Sequence, residues 1–106
     1  MTKGEQQVWI GLLQVKQRPG TGTLLDRNLA FVNAVAPAID ERDFRRSVAQ
    51  ALDGMGFDLM DVEDVETVEE RQRQHQIDPE LLRSAAEAKA RQTPQFGTFH
   101  TWTSED

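Results

Sequence analysis

The spacing of apolar positions changes several times along the chain, and each change marks an element. Residues 8–15, Val-Trp-Ile-Gly-Leu-Leu-Gln-Val, are rich in strand formers. A period of two puts Val8, Ile10 and Leu12 on one face and Trp9, Leu13 and Val15 on the other. A strand apolar on both faces is central, or covered from both sides. Arg18-Pro19-Gly20-Thr21-Gly22-Thr23 is loop chemistry, because proline and paired glycines do not fit a ladder. Residues 29–36 predict a second strand ended by Pro37, with an antiparallel connection to the first the simplest arrangement.

The period then becomes helical. Asp40 is a good N-cap, Asp43 supplies first-turn negative charge, and Phe44, Val48, Leu52 and Met55 recur on one side until Gly54 and Gly56. Residues 57–66 predict a third strand whose apolar parity switches between Leu59 and Met60. Either a bulge resets its register or both faces are partly covered. Thr67-Val68-Glu69-Glu70 fits a capping box opening a short helix through Arg73. Asp78-Pro79-Glu80 opens a longer helix to about Arg91, with Ile77 and Leu82 placed as a hydrophobic staple. After Pro94, residues 95–103 predict a closing strand with Phe96, Thr98, His100 and Trp102 on one face.

The ββαβαβ order, counting the main helices, predicts an α+β two-layer sandwich: a four-stranded, mostly antiparallel sheet with two main helices on one face. It resembles the ferredoxin-like class in element content, although the first two strands pair directly instead of flanking a helix. At 106 residues and 38% hydrophobic, the chain predicts a single domain over 1–106, frayed at 1–6 and 104–106.

Composition narrows the function classes. With no cysteine, disulfides, thiolate metal sites and thiol catalysis are excluded. A net charge of −6 disfavours nucleic acid and anionic membranes as partners. No apolar run is long enough to span a bilayer and the N-terminus lacks a secretory core, so a cytosolic location is the simplest reading.

Candidate chemistry is sparse. Seven acids stand between Asp58 and Glu70 with no basic residue among them: Asp58, Asp61, Glu63, Asp64, Glu66, Glu69 and Glu70. The run reads as a solvated strand edge or as a docking face for a basic partner. It lacks the glycine and ligand alternation of a calcium loop, and neither a metal nor a cofactor is expected. His75 lies in a polar run and reads as an exposed imidazole. His100, among aromatic residues, is the weak catalytic candidate, needing a carboxylate such as Glu63 or Asp64 beside it. There is no Gly-x-Ser-x-Gly, and Gly20-Thr21-Gly22 lacks the downstream lysine of a phosphate loop. Asn33, within an apolar strand, is a structural hydrogen-bonding residue or lines a small pocket.

With both helices on one side, Trp9, Leu13 and Val15 or their opposite triplet would be left uncovered. The excess predicts burial against a protein partner, through a homodimer by way of the sheet or through another protein. Trp9, Leu13, Val15 and Trp102 are the expected apolar contacts, and Asp58, Asp61, Glu63, Asp64 and Glu66 the acidic ones. The sequence thus points to a small acidic, non-catalytic interaction protein. One concrete form is a bacterial immunity- or antitoxin-like chain neutralising a basic partner. The contrasting reading is a small cofactor-free enzyme built on His100.

Overall fold

The computed structural model describes residues 6–18, 29–97 and 99–102, the last two by backbone alone. Strand β1 (Gln7–Gln17) pairs antiparallel with β2 (Leu29–Ala38), in unbroken register from Gln7 opposite Ala38 to Lys16 opposite Leu29. Pro37 lies inside β2 rather than ending it. Beyond Val35 the outer pairing of β2 has stopped, the edge setting in which a missing N–H is tolerated.

Helix α1 (Glu41–Met55) begins where the sequence predicts. Asp40 accepts from the Asp43 N–H at 2.8 Å, and Asp43 accepts from the Ile39 N–H at 3.0 Å. It ends at Gly56, whose φ of 91° lies in the left-handed region that a side chain disfavours. Gly54 is inside the helix and Met55 is 42% exposed, so the buried stripe is Phe44, Val48 and Leu52. Burial of each contributes roughly 1.5–3 kcal/mol.

Strand β3 (Phe57–Thr67) pairs with the other side of β1. Because β2 and β3 both run antiparallel to β1, they are parallel to each other, and α1 connects them across it. Arg18 fastens this turn. Its backbone N–H donates to the Gly56 carbonyl at 2.9 Å, and its guanidinium pairs with Asp53 and Asp58 and reaches the Phe57 carbonyl. Hydrogen bonds to Asp53 and then Asp58 raise the Arg18 pKa above its ordinary value.

Helix α2 (Val68–Gln74) starts with the full Thr67–Glu70 capping box, and α3 (Pro79–Arg91) with Asp78 as cap and Pro79 in the first turn. The closing strand is broken. β4 (Gln95–Phe96) and β5 (His100–Trp102) both pair antiparallel with β2, with an irregularity between them. Together they fill one position beside β2, giving a four-position antiparallel sheet in the order β3-β1-β2-β4/β5 among the described residues. Phe99 stacks on Phe57 at 5.2 Å between ring centroids and lies 6.5 Å from Phe96.

The α+β class and antiparallel sheet are as expected, but the helices divide between the two faces. Phe44, Val48 and Leu52 of α1 pack with Leu13, Val15 and Val32. Ala85 and Ala88 of α3 pack with Ile10 and Val35, which the register places on the opposite face. The doubly apolar β1 has the covering that such a strand requires. Neither triplet is left uncovered as a whole: Leu13 and Val15 are each 0% exposed and Ile10 is 1% exposed, within this chain alone, while Val8, Trp9 and Leu12 are half-buried. Trp9 is half-buried, its indole N–H donating to the Ala38 carbonyl at 3.1 Å. The side chain of Trp102 and the Gly20-Thr21-Gly22 loop lie outside the described residues, as do the ends expected to fray, 1–6 and 104–106, except for Gln6.

Candidate functional site

The acidic run folds onto an edge strand, and β3 is bulged twice. Asp61 lies opposite Gln14 and Leu59 opposite Val15, so Met60 is the extra residue; it is 54% exposed. Glu63 lies opposite Leu12 and Glu66 opposite Ile10, leaving Asp64 and Val65 to span the single residue Gly11. Asp64 has a φ of 54°, a left-handed conformation that aspartate tolerates better than most residues. Each bulge reverses the parity of the side chains that follow. Asp58, Asp61, Glu63 and Glu66, which strict alternation would divide, therefore share one face with Lys16, Gln14, Leu12 and Ile10.

The ends of this row are neutralised locally and its middle is not. Asp58 pairs with Arg18 at 2.9 Å. Glu66 pairs with Arg71, which also donates to the Asp64 carbonyl at 2.7 Å and so holds α2 against the bulge. Glu69 pairs with Arg73, and Glu70 serves the Thr67 cap. Asp61, Glu63 and Asp64 are exposed and form no ion pair among the described residues. They lie beside half-buried Leu12 and Gln14 of β1.

A groove cuts into the same face under the α2–α3 connection. Its larger recess, about 610 Å³, includes Ile10, Asn33, Asp64, Arg71, His75 and Ile77 in its lining. A second recess, about 390 Å³, is bordered by Glu80, Ser84, Phe96, Gly97 and His100. Asn33, Asp78 and Leu81 line both. The Asn33 carbonyl accepts from the Gly97 N–H at 2.8 Å, but its carboxamide has no hydrogen-bond partner among the described residues.

Leu13 and Val15 are core residues and present no contact surface, a correction that follows from α1 and α3 taking opposite faces. Trp9 is half-buried and packs against the same core. Asp58, Asp61, Glu63 and Glu66 are brought together on one face, with Asp64 at the bulge beside them. His100 is exposed and shares its recess with Asp78 and Glu80, not with Glu63 or Asp64. It makes no hydrogen bond to either neighbouring carboxylate. His75, read from its polar run as a bystander, lines the larger recess; Ser84 entered no sequence motif yet lines the smaller one. Among the described residues no three histidine or acidic side chains converge in a way that could hold a metal ion. Among the described residues no helix is long and apolar enough to cross a membrane. No family model, no curated protein and no solved structure matches the chain.

Proposed function

We propose that this chain is a non-catalytic binding protein whose bulged acidic strand docks a basic protein partner. The observation that carries the reading is the alignment of four β3 carboxylates on one face, the middle two without an ion pair among the described residues, beside half-buried Leu12. Ordinary solvation accounts for scattered surface acids. It does not account for two register shifts that gather them on one face beside half-buried Leu12. Such a face speeds association with a basic surface, and apolar contacts then hold the complex. A basic toxin-type enzyme, which the chain would neutralise, is one form of such a partner; a cytosolic setting fits this reading.

The test is affinity purification from the native cell at low salt, followed by reconstitution with the identified partner. The partner is expected to be basic, with association slowing at least tenfold between about 50 and 200 mM salt. Asp61→Lys with Glu63→Lys should slow it similarly while leaving the melting temperature within a few degrees. An acidic partner, or an association rate indifferent to salt and to both reversals, refutes the reading.

A second reading has its own observation: His100 borders a recess that also holds Asp78, Glu80 and Ser84. If proton transfer there is the function, His100→Gln abolishes turnover and leaves partner association unchanged. The docking reading has the advantage that its exposed carboxylates need no further geometry to act.

A further inference from the structure

We propose that the groove around Asn33 is a peptide site, taking an extended lysine- or arginine-bearing segment of the basic partner. This rests on the docking reading above and deepens it, because the groove opens directly onto the acidic row. In the cross-strand register Glu63 lies opposite Leu12, and Leu12 opposite Asn33, so carboxylate, aliphatic side chain and carboxamide follow one another across the sheet. The two recesses meet at Asn33, Asp78 and Leu81 and extend that line to β5. Each recess falls within the usual size range of a ligand pocket. Joined end to end across the strands, they suit an extended chain better than a compact molecule.

The chemistry selects the occupant. A carboxamide offers an acceptor and two donors, and a peptide unit presents the complementary donor and acceptor. Among the described residues no group hydrogen-bonds the Asn33 carboxamide, so it can accept from and donate to a main-chain amide. Leu81, which is half-buried and lines both recesses, supplies apolar contact. The charges at the rim exclude an anion. Arg71 is occupied by Glu66 and by the Asp64 carbonyl. The first turn of α3 is closed by the Asp78 carboxylate, which accepts from the Glu80 N–H at 2.8 Å. Asp64 and Glu80, on different walls, have no ion pair among the described residues and are free to receive an ammonium or guanidinium.

The probe is the acetylated, amidated peptide Leu-Lys-Leu-Lys-Leu, titrated into the isotope-labelled chain at low salt and followed by amide chemical shifts. Expected shifts centre on Asn33 and on residues 77–81. Asn33→Leu, which keeps size and net charge, should weaken binding roughly tenfold. Glu80→Gln, at an exposed first-turn position, should weaken it several-fold and serves if Asn33→Leu unfolds. A matched peptide with glutamate for lysine, and inorganic phosphate, should produce no shifts in the groove. Shifts confined to Asp61 and Glu63, with Asn33→Leu binding as tightly as the parent, overturn the groove and leave the docking face standing. Phosphate binding at residues 77–81 overturns the cationic assignment. A peptide that shifts nothing, together with a salt-insensitive partner, overturns both proposals.

Discussion

Gly11 is glycine because Phe44 stands where its side chain would be. A Cβ there would lie 3.1 Å from Phe44 Cε2 and 3.3 Å from Val65 Cγ2, so the ring and the bulge would both have to yield. Gly11→Ala should cost about 1 kcal/mol and Gly11→Val about 2–3 kcal/mol, read from urea midpoints at unchanged slope. Equal stability for all three chains would mean that Phe44 does not press on the sheet. Asp43 supports the same helix electrostatically. The Arg46 guanidinium, donating at 2.7 Å, and then the Ile39 N–H hold its carboxyl below the usual carboxylate range. A carboxyl whose folded pKa is lowered contributes stability that is complete above its unfolded pKa and is lost as pH falls through the folded one. Asp43→Asn should therefore cost about 0.5–1 kcal/mol near neutral pH. The gap in melting temperature should close on acidification below about pH 4. A gap independent of pH would assign the effect to packing.

The elements show what a linear reading captures and where it stops. Both ends of α1 and the start of α3 were legible, because caps and stops are local: Asp40, Gly56 and the Asp78-Pro79 pair act within a turn of where they stand. The face each helix covers was not legible, since that depends on which β1 residues lie nearest once the sheet has formed. Along α3 the residues that meet Ile10 and Val35 are Leu81, Ala85 and Ala88. Of the site, the acidic run was plain but its alignment was not. The parity switch at Met60 hinted at one bulge, while the return of parity from Val62 to Val65, the mark of the second, was not read from the sequence. His75 and Ser84 gave no signal, because distant segments build the recesses around them. Asp78 belongs to both scales, capping α3 and lining the groove. Asp78→Ala should cost about 1 kcal/mol, lowering the melting temperature by roughly 4–8 °C. It should also weaken the lysine peptide more than the exposed change Glu87→Ala, which lies away from both recesses; equal peptide affinities would separate the cap from the site.

At the scale of the whole molecule, the sheet carries two unequal cores. The α1 side buries Phe44, Val48, Leu52, Phe57, Leu13 and their neighbours, whereas among the described residues the α3 side has four buried ones, two of them alanines. Alanine brings helix and sheet close but removes little apolar surface from water, so α3 is held by far less area than α1. Local opening follows the weaker attachment. Native-state hydrogen exchange should therefore find α2 and α3 opening at free energies well below global unfolding, while β1, β2 and α1 exchange only by unfolding completely. Those same helices carry the groove wall from Arg71 to Ser84, so a bound segment bridging Asn33 to Glu80 would tie the weaker layer to the sheet. Saturating lysine peptide should then raise protection in 68–91 more than in 41–55. Exchange that is uniform across both helix layers would mean that the cores unfold as one, and the groove would have to be treated as rigid.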